Sequence, residues 1–310
     1  MSNKMIILPV KWLYLCHILQ ERFGQAFTLR LQSSNTLEIT LGGSSRSIQL
    51  TLDNATFTRA DSDLPYTQWN AAAEGWHTPL ASVLSAPGAS MLPSPLIEQT
   101  EQGWHIHYDI LGLTYWMLSR QEEVGRTDLD AHGRFPATSS HAFKHGYLER
   151  PIVDEWLHIL GQVIARTWPD LQLKQHSFSM KVSHDVDAPS RYGFASAKSL
   201  LRSIAGDVLK RRDIQSALRA PWIRLNTRNA LHPSDPYNTF EWIMDVSERH
   251  GLTSAFYFIC GRTSNMDAAY EPEHPAIRAL MRRIHERGHE IGLHPSYGTY
   301  QKPELLSQEA

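Results

Sequence analysis

Three strand-like segments alternate with two amphipathic helices between residues 178 and 294, and this alternation constrains the fold more than any other feature. The strand-like segments are Phe178–Val182 running on into Asp187, then Thr253–Cys260 and Glu290–His294, and the helical segments are Asn238–His250 and Pro275–Arg287. Strands that are joined through helices pair in parallel, so the order predicts an α/β layer or barrel. In such folds the functional side chains gather at the carboxyl ends of the strands.

The first half of the chain follows a different pattern. A short amphipathic helix from Trp12 to Phe23 precedes three alternating segments, Phe27–Gln32, Thr36–Leu41 and Ser47–Leu52, which predict a three-stranded meander. Ile110–Leu118 predicts a buried helix capped by Asp109, and a strong helix follows Pro151. The pattern changes after Pro169. We therefore predict an N-terminal α+β domain over residues 1–172 and a second domain over 173–310.

Composition and charge narrow the class of protein. With 310 residues, 42 % apolar and 20 % charged, the chain is globular and long enough for two domains. The formal net charge of −2 gives no indication of a nucleic-acid partner. The apolar run Met5–Val10 is interrupted by Lys11, no cleavage site follows, and no apolar run reaches the length of a bilayer. These features predict a cytoplasmic protein with no transmembrane segment.

The candidate site lies where the predicted strands end. Asp185 and Asp187 end the first strand, and their side chains point the same way because they are two residues apart. His294 ends the third strand and can reach the same rim. Two carboxylates and an imidazole suit a divalent metal ion and a general base. Aspartates in this spacing also cap turns, so the residues alone leave both interpretations open.

A second histidine near this site is predicted to be structural. The segment Gly288–His294 is similar to the helical His-Glu-x-x-His zinc motif, but its second histidine position is Leu293. The segment also follows a helix-stopping glycine and is predicted to be a strand. On a strand His289 and His294 face opposite sides, so they cannot bind the same ion.

These segments together resemble the polysaccharide deacetylase (NodB-homology) family over roughly residues 175–305. Ser183–Asp187 resembles the first motif of that family in its bacterial Asp-x-Asp form, Thr253–Phe258 its second strand, and Gly288–His294 its second motif. The resemblance implies a distorted parallel (β/α) barrel of the glycoside hydrolase/deacetylase type. It also implies that Asp185 is the general base, and that Asp187 and His294 bind a divalent metal, preferentially zinc. The N-terminal part resembles the accessory domain of some bacterial members.

The sequence departs from the pattern of that family at two places. The family has another histidine four residues after the position of His294, where this chain has Gly298. The third ligand is therefore either missing or supplied from elsewhere in the chain, with His232, His274 and Tyr297 as the candidates. The later motifs would lie beyond residue 310, so we expect the deacetylase domain to be incomplete at its C-terminal end and its barrel not to close.

Three functions are compatible with these features. The first is hydrolytic removal of N- or O-acetyl groups from a saccharide, a reaction on carbon–nitrogen bonds other than peptide bonds in the case of an N-acetyl group. The second is a catalytically inactive, deacetylase-like binding or scaffold protein. The third is another metal hydrolase that acts on a small amide. Asp185, Asp187 and His294 favour the first and third, whereas Gly298 favours the second.

A basic insertion separates the first strand from the rest of the second domain, over about residues 188–237. Between residues 190 and 230 nine side chains are basic and two are acidic, a local charge of +7 in a chain with a net charge of −2. Leu201, Ile204 and Val208 add an apolar stripe. This pattern predicts an anionic partner, either a phosphate- or lipid-linked saccharide or an anionic membrane surface. A solvated face would give the same pattern.

Overall fold

The computed structural model describes residues 10–310, so most of the apolar run that begins at Met5 lies outside the described residues. The chain divides into two compact units, one ending at His176 and the other running from Ser177 to Ala310. This division and the predicted boundary at residue 172 both lie between the last helix of the first unit and the first strand of the second. Across residues 10–310 no helix is both long and apolar enough to cross a bilayer.

The first unit is built on a five-stranded mixed sheet. Its strands are β1 (Thr28–Ser33), β2 (Thr36–Thr40), β3 (Ser47–Thr51), β6 (Ile97–Thr100) and β7 (Gly103–Ile106), in the order β1-β2-β3-β7-β6. The predicted meander of the first three strands is confirmed. The sheet extends beyond it because β7 pairs with β3 in parallel and with β6 in antiparallel orientation.

Four helices and a small second sheet complete this unit. The helices are α1 (Val10–Phe23), α2 (Ile110–Leu118), α3 (His141–Lys144) and α4 (Ile152–Thr167), and β4 (Tyr66–Asn70) pairs with β5 (Val83–Pro87). The carboxylate of Asp109 accepts a hydrogen bond from the Gly112 amide, which confirms the predicted cap of α2. Leu15 of α1, Trp116 of α2 and Trp156 of α4 belong to one buried core with the large sheet.

His141 is a fully buried histidine at the start of α3. Its Nε2 lies 3.1 Å from the carbonyl oxygen of Leu64, and its Nδ1 is hydrogen-bonded to the hydroxyl of Tyr147. A neutral ring satisfies both partners by donating at Nε2 and accepting at Nδ1. Burial lowers the pKa of His141 to about 4, because the interior disfavours the charged ring.

We therefore expect the first unit to lose stability as the pH falls. The unfolded chain binds a proton to His141 near pH 6.5, whereas the folded chain does so only near pH 4, so the loss develops between these values and reaches about 3 kcal/mol. Urea unfolding followed by tryptophan fluorescence tests this, with His141→Gln flattening the dependence on pH. The same replacement at His17, exposed on α1, is the control and should leave the dependence unchanged.

The second unit contains the predicted parallel sheet. Its elements in chain order are β8 (Val182–Val186), α5 (Ala197–Gly206), α6 (Ile214–Asn226), α7 (Phe240–Arg249), β9 (Ser254–Ile259), α8 (Pro275–Glu286), β10 (Glu290–His294) and α9 (Pro303–Glu309). The sheet has the order β10-β9-β8, and both pairings are parallel. The mixed α/β class is therefore confirmed. In the part of the chain that the structure describes, the three strands do not close into a barrel.

The predicted start of the first strand was wrong. The strand begins at Val182, which pairs with Ser254, the first residue of β9, so the residues before Val182 lie beyond the paired length. Phe178, which the sequence placed in the strand, is 91 % exposed. The third strand, Glu290–His294, has the predicted bounds.

The two faces of the parallel sheet differ in composition. On one face Val186, Phe256 and Phe258 are buried in a core with residues of α7 and α8 that include Met244 and Ile277. On the opposite face most side chains are exposed or half-buried, among them Ser183, Asp185, Tyr257 and His294. The helices therefore cover the apolar face, and the polar residues of the predicted site lie on the other one.

The basic insertion folds as two helices joined by a single π-helical turn, Asp207–Arg211. Tyr192, Ala220 and Ile223 form a small core, and Ile204 packs against it. The predicted apolar stripe is therefore not one solvent-facing surface, because Ile204 points inwards whereas Leu201 is 67 % exposed. A different stripe is exposed on α6, formed by Ile214, Leu218, Trp222 and Leu225.

Candidate active site

The register of the parallel sheet brings the predicted site residues close together. Asp185 of β8 pairs with Tyr257 of β9, which in turn pairs with Gly292 of β10. His294 lies two residues further along β10 and therefore on the same face as Gly292. Asp187 follows Val186, the last residue of β8, and its side chain is exposed.

Gly292 provides the space that the site needs. A Cβ atom at this position would lie 2.3 Å from the ring of Tyr257, far inside van der Waals contact. The tyrosine ring therefore lies against the backbone of β10 at Gly292. A larger residue at position 292 would displace this ring from the centre of the polar face.

Asp185 and His294 approach each other across this face. The Oδ2 atom of Asp185 lies 3.7 Å from Nε2 of His294, and both side chains are partly exposed. The Nδ1 atom of His294 lies 2.9 Å from the carbonyl oxygen of Pro295, so a ring protonated at Nδ1 donates to that oxygen. In that tautomer Nε2 carries a lone pair, as in histidines that bind a metal ion or accept a proton.

Tyr270 joins the carboxyl ends of β8 and β9 by hydrogen bonds to both strands. Its hydroxyl donates to the carbonyl oxygen of Val186 at 2.7 Å and accepts from the amide of Ile259 at 2.8 Å. The side chain is buried, and burial raises the pKa of its hydroxyl. Asp187 therefore follows a fixed strand end, and sequence reasoning missed the tyrosine that fixes it.

Hydrogen bonds to Asp267 connect the loop residues that follow β9 and β10. Asp267 accepts hydrogen bonds of 2.7 Å from the amides of Thr263, Ser264 and Tyr297. Burial alone would raise its pKa, but these backbone hydrogen bonds lower the pKa of Asp267 below its usual value. The loop after β9 is thereby joined to the loop after His294, an arrangement that no local sequence pattern indicated.

The residues present fit a bound metal ion only in part. A separation of 3.7 Å allows Asp185 and His294 to approach the same ion, since ligand bonds of about 2.0–2.2 Å span such a distance. Among the side chains of residues 10–310, no group of three or more His, Cys, Asp and Glu is placed to hold an ion. Two of the proposed third ligands have local partners, because His232 accepts from the Ser234 amide and His274 from the Ala276 amide.

Gly298, where the resemblance expects a histidine, is packed too closely to carry one. Its amide donates to the hydroxyl of Thr263 at 2.6 Å, and an added Cβ atom would lie 2.7 Å from that oxygen and 2.8 Å from the Cβ atom of Thr263. The contact joins the two loops beside the site. At this position the structure therefore has a contact between two loops where the resemblance expects a histidine.

We expect Gly298→His alone to fail to create a metal ligand. The new side chain must displace Thr263, so the variant should lose about 1–3 kcal/mol of stability and gain no affinity for zinc. The double variant Gly298→His/Thr263→Gly removes the clash and should bind zinc more tightly than the single variant. Zinc titration and thermal unfolding of both variants test this, and tight zinc binding by the single variant would contradict it.

His289 has the structural role that the sequence predicted. It is buried, and its Nδ1 accepts a hydrogen bond of 3.1 Å from the amide of Ser254. His184, next to Asp185, also lies on the helix-covered face, where its ring stacks on Phe256 and its Nε2 lies 3.3 Å from the Ser254 hydroxyl. Burial lowers the pKa of His184, which favours a neutral ring.

The comparisons with known proteins concern mainly the first unit. The sequence model of a family described as a family of unknown function, DUF7033, matches residues 10–169. Neither a curated protein nor a solved structure matches the chain. The family match ends before the second unit begins, so it does not include the residues around Asp185 and His294.

Proposed function

We propose that this chain, which belongs to the DUF7033 family of unknown function, is a metal-dependent hydrolase that removes acetyl groups from a saccharide. Family membership carries no activity, so the proposal rests on the second unit. The observation that carries it is the approach of Asp185 Oδ2 to within 3.7 Å of His294 Nε2 on the polar face of a parallel sheet. The resemblance of both segments to deacetylase motifs supplies the reaction.

Asp185 is the proposed proton acceptor. Water adds to the carbonyl carbon of the acetyl group while Asp185 takes a proton from it, and collapse of the adduct releases acetate and returns the proton to the departing nitrogen or oxygen. Asp187 and His294 are the proposed ligands of a zinc ion, which when bound lowers the pKa of water and polarises the carbonyl group. Exposure of the Asp185 side chain to solvent keeps it accessible to a substrate.

The same proposal treats the three-stranded sheet as part of a (β/α) barrel. Its support is the parallel order β10-β9-β8 with α7 and α8 on one face only. In a barrel of this type the helices lie outside and the polar site lies at the carboxyl ends of the strands. The position of Asp185 and His294 agrees with that arrangement.

One observation favours a binding or scaffold role instead of catalysis. A catalytic zinc site normally has three protein ligands, and the position expected for the third is Gly298, closed by Thr263. A chain that has lost this ligand retains a polar face able to hold a saccharide through hydrogen bonds without hydrolysing it. This is the alternative function.

Metal content and acetate release together separate the two functions. The purified chain, incubated with zinc and dialysed, is expected to retain the ion and to release acetate from acetylated oligosaccharides. His294→Ala should remove both properties, whereas His250→Ala, an exposed histidine after α7, should affect neither. Saccharide binding without zinc or acetate release would establish the alternative, and acetate release from small amides alone would identify a different substrate class.

A further inference from the structure

The basic insertion of the second unit contains an open cavity of about 530 Å³. Its wall includes four cationic side chains and two large apolar or aromatic ones, namely Arg191, Arg202, Lys210, Arg211, Leu209 and Tyr237. Its volume lies within the range of about 300–1,000 Å³ that is usual for small-molecule sites. The cavity is therefore large enough for a phosphate group and an attached ring.

Two of the four cationic side chains are held in place by a buried carboxylate. Asp207, which is 1 % exposed, forms ion pairs with Arg191 and Arg211 and accepts a hydrogen bond of 2.8 Å from the Tyr192 hydroxyl. Each guanidinium still has donor groups that Asp207 does not use. Nε of Arg191 is itself buried and has no hydrogen-bond partner in the structure.

A second buried carboxylate positions the aromatic part of the wall. Asp235 accepts hydrogen bonds of 2.9 Å from the amides of both Arg191 and Tyr237, and 2.6 Å from the Ser190 hydroxyl. It thereby joins the chain after β8 to the chain before α7. The ring of Tyr237 lies 5.6 Å from the Arg191 guanidinium and is 43 % exposed, so one part of it is available to a ligand.

The other two cationic side chains of the wall have no counter-charge. Arg202 and Lys210 form no ion pair with any residue that the structure describes. Four cationic side chains against two buried carboxylates, Asp207 and Asp235, leave a formal excess of two positive charges around the cavity. Guanidinium groups match the oxygen geometry of phosphate, and several of them together favour a multiply charged anion over a single carboxylate.

We infer that this cavity binds a phosphate group, as a pyrophosphate or phosphate monoester, with Tyr237 packing against the group that the phosphate carries. Arg202 and Lys210 are the residues that give affinity, and Asp207 and Asp235 are positioning residues. The phosphate can belong to a dissolved molecule or to the headgroup of an anionic lipid. The exposed stripe on α6, with Trp222, makes the lipid source worth testing.

Calorimetric titration of the full chain with inorganic pyrophosphate at low salt tests the inference. We expect binding, weakened about tenfold or more in Arg202→Ala/Lys210→Ala because two charge-assisted contacts are lost. The control Lys198→Ala/Arg219→Ala removes the same charge from exposed positions outside the cavity and should weaken binding by less than about threefold. Circular dichroism establishes that both double variants are folded.

The inference would be overturned if the native chain bound neither pyrophosphate nor vesicles. It would also be overturned if the two double variants weakened pyrophosphate binding equally. Sedimentation with vesicles of phosphatidylcholine, with and without phosphatidylglycerol, distinguishes the two sources. Binding to the anionic vesicles that pyrophosphate inhibits, accompanied by a shift of tryptophan emission that Trp222→Phe abolishes, supports a lipid headgroup, whereas pyrophosphate binding alone supports a dissolved ligand. None of these measurements requires hydrolase activity, so their failure and that of the proposed hydrolysis remain distinguishable.

Discussion

Replacing Asp185 by Asn is expected to lower the rate of acetate release by about 10²–10⁴-fold, the usual contribution of a general base. The substitution preserves the size of the side chain and removes its ability to accept a proton. His294 Nε2, 3.7 Å away, retains a polar neighbour, so the local structure should be maintained. Because Asp187 and His294 are the proposed ligands, Asp185→Asn should retain zinc whereas Asp187→Asn should lose it.

The matched control is Asp245→Asn on α7, a largely exposed aspartate that pairs with Arg287 on the helix-covered side of the sheet. It should leave acetate release and zinc content unchanged. The informative quantities are kcat for acetate release and the zinc content after dialysis, measured for all variants. Loss of zinc together with activity in Asp185→Asn would contradict the division of roles and would make Asp185 a ligand, a role that its distance to His294 also permits.

The sequence predicted the parallel strands best where their limits are set locally. β10 is bounded by Gly288, whose positive φ of 79° ends the preceding helix, and by Pro295, so its ends agree with the prediction. The start of β8 depends instead on where β9 begins, which is about 70 residues away in the chain. Local apolarity at Phe178 carried no information about that partner.

Long-range pairing also explains what the sequence did not predict in the first unit. Residues 53–103 carry no predicted element, yet they contain β4, β5 and β6. These strands have four or five residues and are separated by irregular segments. β7, which joins β6 to the predicted meander, pairs with β3, more than 50 residues earlier. Short strands whose partners are distant have no local alternation long enough to be recognised.

In the candidate site, the charged residues could be predicted and their supports could not. Asp185 and His294 lie on strands, where alternation fixes the face of each side chain. Tyr270, Thr263 and Asp267 lie in the connection between β9 and α8. Their positions depend on hydrogen bonds to Val186 and to the loop after His294, which only the folded chain brings near.

The buried carboxylate of the insertion, Asp207, is expected to contribute strongly to the stability of that segment. Asp207 is 1 % exposed and is the shared partner of Arg191 and Arg211. Arg191 is itself only 11 % exposed, so its guanidinium cannot turn to bulk water without movement of the chain. The Tyr192 hydroxyl donates to the same carboxylate, and burial together with Asp207 raises the pKa of Tyr192 to about 12. This group of side chains connects the start of the insertion to its π-helical turn.

We therefore expect Asp207→Asn to destabilise the insertion by about 3–5 kcal/mol, because it leaves a buried guanidinium without its counter-charge. The control is Asp213→Asn, in which the exposed N-cap of α6 keeps a side-chain acceptor for the Ser216 amide and should lose only a few tenths of a kcal/mol. Hydrogen–deuterium exchange of the amides of α5 and α6 measures both effects locally, without interference from the first unit. Protection that is equal in Asp207→Asn and in the unmodified chain would mean that Arg191 finds another partner or water. In that case Asp207 would not be what positions the cationic wall of the cavity.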